Sequence, residues 1–157
     1  MQKLALLAVD DGDVAHVLRS RLLALGFATY LCATVEQCLR RLAVEHWPPS
    51  VLLAAARLPD GHVIPMLQFW SDELMQPLPP LILWAPSDPC DMDMDVRFLA
   101  ERDAHVVSMP LDVDIVAALA LAASWHYYPR PGRLRGRIRR GLACPAHAAR
   151  RLGARVR

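Results

Sequence analysis

Apolar and polar positions follow a recurring order along most of the chain: a short apolar run, a turn, then apolar residues three or four apart. Lys3 to Val9 is mostly apolar and is stopped by Asp10-Asp11-Gly12-Asp13, which predicts a strand buried on both faces. Val14, Val17, Leu18, Leu22 and Leu25 then recur at helical spacing, and Gly26 supplies a stop. Phe27 to Cys32 is a second strand. Thr34 followed by Gln37 is a capping box opening a helix through Val35, Cys38, Leu39 and Leu42. Pro48-Pro49 closes that segment, and Val51 to Ala55 is the third strand. "RLPDG" is a turn. A helix follows near Ile64 to Trp70, with Pro65 tolerated in its first turn. Pro79-Pro80 precedes a fourth strand, Leu81 to Trp84. A helix near Val96 to Glu101 leads to a fifth strand, His105 to Ser108. Asp112 or Asp114 starts a last helix that runs to about Trp125.

Short apolar strands alternating with helices predict an α/β domain, a doubly wound five-stranded parallel sheet covered on both faces with right-handed crossovers. In such sheets function sits at the carboxyl ends of the strands. Asp10, Asp11, Ala55, Ala85 and Met109 occupy those ends.

Composition narrows the class. The chain has 157 residues, 54% hydrophobic and 22% charged, which excludes a wholly disordered polypeptide. No apolar run reaches the roughly 18 residues of a membrane span. The run Leu4 to Val9 is too short for a signal-peptide core and ends in acids, so a cytoplasmic location is expected. Cys32, Cys38, Cys90 and Cys144 form no CxxC and no zinc spacing with His, and read as free, small hydrophobes.

Net charge of +2 conceals a division. Residues 1–124 hold 8 Lys and Arg against 16 Asp and Glu, a net of −8, whereas residues 125–157 hold 10 Arg and no acid. The expected organisation is an acidic body, residues 1–128, and a basic tail, residues 129–157, able to meet nucleic acid, an acidic partner or the body itself.

The order strand, Asp-Asp, helix, then "RLPDG" after strand three and "MP" after strand five, resembles the receiver domain of bacterial two-component response regulators. "LLAVDDGD" and "LLAAARLPDG" carry the resemblance, which covers roughly residues 3 to 124. It implies a flavodoxin-like fold and a role in two-component signal transduction. In that family an acidic pair ending strand one helps hold Mg²⁺, and an Asp ending strand three accepts the phosphoryl group. A Thr or Ser ending strand four contacts that group, a Lys before a proline neutralises it, and an aromatic on strand five reports the switch. The acidic pair matches Asp10 and Asp11. The acceptor position reads Ala55, the hydroxyl position Ala85, the Lys position Met109 before Pro110, and the aromatic position Val106.

Each departure removes chemistry. A methyl group cannot replace a carboxylate nucleophile. Two carboxylates without the third would bind Mg²⁺ only weakly, and Met109 brings no positive charge to a phosphoryl group. Capping the next helix is the favoured role for Asp10 and Asp11. Asp60, in "RLPDG", is expected to serve its turn. "DMDMD", residues 91–95, fails as a calcium loop because Val96 and Arg102 stand where Gly and Glu are required. The six histidines form no catalytic set.

The tail's first half is rich in Pro, Gly and Arg and reads as disordered. "AHAARRLG" is similar to the first part of a Fis-like helix-turn-helix, with only "ARVR" after it; an out-of-frame terminus explains the same narrow alphabet. The expectation is therefore a degenerate receiver, a pseudo-receiver without enzymatic activity or cofactor. It would act independently of phosphorylation through protein contacts on a partner or on transcription, paired as a homodimer through its last helix. The alternative is a nucleic-acid-binding regulator using Arg133, Arg135, Arg137, Arg139, Arg140, Arg150 and Arg151.

Overall fold

The computed structural model describes residues 2–44, 48–75, 77–84, 96–102 and 104–126. The expected boundary at residue 128, the Arg-rich tail, Ala85, Cys90 and Cys144 lie outside these residues. Strands β1 (Lys3–Ala8), β2 (Phe27–Cys32), β3 (Val51–Ala55), β6 (Leu81–Trp84) and β7 (His105–Val107) form one sheet in the order β2-β1-β3-β6-β7. Every pairing in it is parallel. Between β3 and β6 lies a feature that its local turn signals conceal. Arg57–Leu58 (β4) and Gly61–His62 (β5) pair antiparallel around the Pro59-Asp60 turn, forming a hairpin of two-residue strands.

The α-helices among the described residues are α1 (Gly12–Ala24), α2 (Val35–Leu42), α3 (Val63–Gln68), α4 (Val96–Glu101) and α5 (Val113–His126). The period-two alternation of the strands sorts them between two faces. Leu6, Ala8, Leu52, Ala54, Leu81 and Leu83 point into a core with α2, α3 and α4. Ala5, Leu7, Val51, Leu53, Ile82 and Trp84 point the other way, onto Ala15, Leu18 and Leu22 of α1 and Val116 and Ala120 of α5. Both faces of β1, β3 and β6 are thus filled, which is why these three strands read as unbroken apolar runs.

Local signals fix the helix ends. The Asp11 carboxylate accepts from the amides of Asp13 (2.9 Å) and Val14 (3.1 Å) and caps α1. Gly26, at φ +84°, takes the left-handed position that ends it. Asp112, not Asp114, starts α5, accepting from the amides of Asp114 and Ile115. Pro65 falls within the first turn of α3, where no amide hydrogen is needed. That helix continues as a wider π turn, Phe69–Glu73.

Arg21 on α1 and Asp114 on α5 form an ion pair at 2.8 Å, with both side chains more than half exposed. Such a pair contributes about 0–1 kcal/mol, whereas each fully buried Leu contributes about 1.5–3 kcal/mol. Leu18 and Leu22, both 0% exposed, therefore outweigh the ion pair in holding α1 and α5 on the sheet. At its far end α5 returns to the beginning of the chain. Lys3 Nζ donates to Ser124 Oγ at 3.1 Å and lies 4.0 Å from the centre of the Trp125 ring. Among the described residues no helix is long and apolar enough to cross a membrane.

Candidate functional site

Strand order reverses at β1. The chain moves from β1 outward to β2, then returns to β3 on the other side of β1. The crevice of a doubly wound sheet opens at such a reversal, beyond the carboxyl ends of the flanking strands. Parallel register sets Ala8 beside Ala54. The residues that follow, Asp10 and Asp11 after β1 and Ala55 at the end of β3, thus meet at this crevice. Both acids are exposed and Ala55 is half-buried.

The two acids do different work. Asp11 turns its carboxylate back to its own helix, as the capping bonds show. Asp10 stays in solvent. Ala55 packs a methyl group against both cores. Met109 is 37% exposed and is joined to Pro110 by a cis peptide bond. Val106, on the edge strand β7, is 47% exposed. Among the described residues the crevice therefore has two carboxylates, one of them committed to a helix cap, and neither the Ala55 nor the Met109 side chain adds an oxygen ligand or a cation. Among the described residues no group of three or more His, Cys, Asp or Glu side chains could hold a metal ion. The Asp10 and Asp11 side chains alone do not make up the oxygen set of an octahedral Mg²⁺.

Asp60 is placed differently from the sequence expectation. Instead of bonding within its own turn, it reaches α2. Its two carboxylate oxygens accept from the amides of Val35 (2.6 Å) and Glu36 (3.1 Å). Thr34 Oγ1 accepts from the Gln37 amide at 3.2 Å, and Gln37 Oε1 accepts from the Ala33 amide at 2.8 Å. The open donors of the first turn of α2 are thus met by its own capping box and by a carboxylate 25 residues away. A carboxylate so engaged serves as an anchor for α2.

No protein-family model matches the sequence, and no curated protein matches it significantly. Solved structures do match the fold. The BeF3-activated receiver domain of nitrogen regulatory protein C is 26% identical, with 81% of this chain and 98% of that one covered at a TM-score of 0.63. A CheY-like response regulator receiver domain from Methylobacillus flagellatus is 14% identical over 78% of this chain and 99% of that one, with a TM-score of 0.62. The signal receiver domain of an HD domain-containing protein from Pseudomonas fluorescens is 20% identical over 80% and 88%, with a TM-score of 0.61. The chain has the fold of a response regulator receiver domain.

Proposed function

We propose that this protein is a receiver-type signalling module that works without phosphoryl transfer, regulating a partner or transcription through protein contacts. One observation carries the reading: Ala55 ends β3 at the crevice, so a methyl group stands where phosphoryl transfer needs a carboxylate. The commitment of Asp11 to capping α1 and the uncharged Met109 support it. The test is acetyl phosphate with Mg²⁺ followed by intact mass. The protein is expected to stay unmodified, and a stoichiometric phosphoryl adduct would overturn the reading.

The contact surface we assign is α5 with β7. Ile115, Ala118, Ala122 and Trp125 are exposed on one side of α5 at a spacing that keeps them in a single stripe. Val106 and Met109 add exposed apolar surface nearby in the chain. A stripe of this kind marks an interface, and a second copy of the chain is the proposed occupant. Arginines from residue 130 onward give a second reading, in which a phosphorylation-blind dimer presents its tails to nucleic acid.

A further inference from the structure

The exposed stripe of α5 reads the same from either end. Ile115, Ala118, Ala122 and Trp125 are spaced three, four and three apart, symmetrically about Ala120, whose own side chain is buried in the core. The two large side chains stand at the ends of the stripe, 53% and 66% exposed, and the two exposed alanines lie between them. Charge along the helix is not symmetric. Its start carries Asp112 and Asp114, both exposed, and its far end carries the ammonium of Lys3. Arg21 offsets one of the two acids, which leaves a negative start and a positive end.

We propose that a second copy of the chain occupies this stripe in antiparallel register, the two α5 helices related by a two-fold axis at Ala120. Ile115 of one copy then faces Trp125 of the partner subunit, and Ala118 faces Ala122 of the partner subunit. The proposal rests on the dimer reading above and fixes its geometry.

In antiparallel helices related by such an axis, positions equally far from it on either side face each other. Every stripe residue therefore meets a stripe residue, as an isologous interface demands. The alanines at the centre let the helix axes approach closely. The Ile–Trp contacts close the two ends, with the Trp ring as the anchor. Parallel pairing would set Asp112 and Asp114 beside their own counterparts. Antiparallel pairing instead brings this acidic end to Lys3 of the partner subunit, so the charges complement one another. The anchor is also held ready. Lys3 Nζ donates to Ser124 Oγ at 3.1 Å and stands 4.0 Å from the centre of the Trp125 ring. Ser124, 3% exposed, donates in turn to the Leu121 carbonyl at 2.8 Å. The ring is thus restrained before pairing, which lowers the ordering cost of the interface.

The experiment is complementation between two full-length variants. Ile115→Lys and Trp125→Glu each set a charge against an apolar partner, and each alone should be a monomer in light scattering. Mixed one to one, they should form a heterodimer, recognised in native mass spectrometry by the summed mass of one copy of each. The introduced lysine and glutamate then face each other at one end, while the other end keeps its Ile–Trp contact. Parallel pairing gives no such rescue. Ala118→Glu mixed with Ala122→Lys repeats the test at the centre of the stripe, at exposed helix positions that both residues suit, and decides if a variant of the first pair does not fold. Mixtures that stay monomeric while wild type is a dimer overturn the register and leave the dimer reading standing. A homodimer of either variant alone overturns both. A wild-type monomer at tens of micromolar also overturns both, and leaves the stripe to residues 127–157 of the chain or to another protein.

Discussion

Asp60 and Val35 are joined by a 2.6 Å hydrogen bond from the Val35 amide to the Asp60 carboxylate, and through it the β4–β5 hairpin holds the first turn of α2. This bond serves a helix start from a distant loop. Removing a side-chain cap costs about 0.5–2 kcal/mol, and Asp60 meets two amides instead of one.

Asp60→Ala is accordingly expected to lower the unfolding free energy by about 1–2 kcal/mol, with Asp60→Asn less affected because it keeps an accepting oxygen. Urea denaturation measures both. A midpoint unchanged in Asp60→Ala would show that the bond is dispensable.

Placing a carboxylate at the end of β3 should create metal affinity before anything else. Ala55→Asp sets three acids together, which repel one another in the absence of a cation. The variant is expected to melt below wild type in EDTA and to rise with Mg²⁺ through binding linkage, while wild type is insensitive to Mg²⁺. A thermal melt with and without the ion decides, and equal responses in the two proteins would contradict the placement of Ala55.

The α5 stripe predicts a dimer that forms without any phosphoryl donor. Light scattering of the full chain should give twice the monomer mass, and Ile115→Asp, at a side chain 53% exposed, should return it to monomer with little loss of stability. A wild-type monomer at tens of micromolar would end this reading, as would an Ile115→Asp dimer.

If the tail contacts nucleic acid, affinity should fall steeply with salt because each phosphate neutralised releases counterions. Truncation after residue 128 removes all but the body, whose residues 1–124 carry a net −8, and should abolish binding. A truncated protein that binds as tightly as the full chain would exclude the tail as the contact.

The centre of the sheet was legible in the sequence because β1, β3 and β6 are buried on both faces, so each is an apolar run bounded by Pro or Asp. The bounds of β2, β3 and β6 match the predicted strands. Strands β1 and β7 end one residue earlier, at Ala8 and Val107, because Val9 and Ser108 lie past the last paired positions. Helix α1 begins two residues earlier, since its cap is Asp11 and not the first apolar residue. What local pattern could not show was long-range partnership. Asp60 sits in a turn rich in turn-forming residues, and nothing near it in the chain points to Val35. The hairpin strands are two residues long, too short for any period. The π turn after α3 has no signature apart from helical spacing.

The contact of Lys3 with Ser124 and Trp125 has an architectural consequence. Residues 121 positions apart in the chain meet, so the described body is entered and left at one corner. The 14 residues of α5 span about 21 Å between that corner and Asp112, which lies at the carboxyl-end pole with Asp10 and Ala55. Whatever is joined before Lys3 or after His126 is therefore hinged at the pole opposite the crevice. A fluorescent protein joined just ahead of Lys3 or directly after His126 would report on the body without standing over its crevice. The two fusions should be interchangeable in their effect on it.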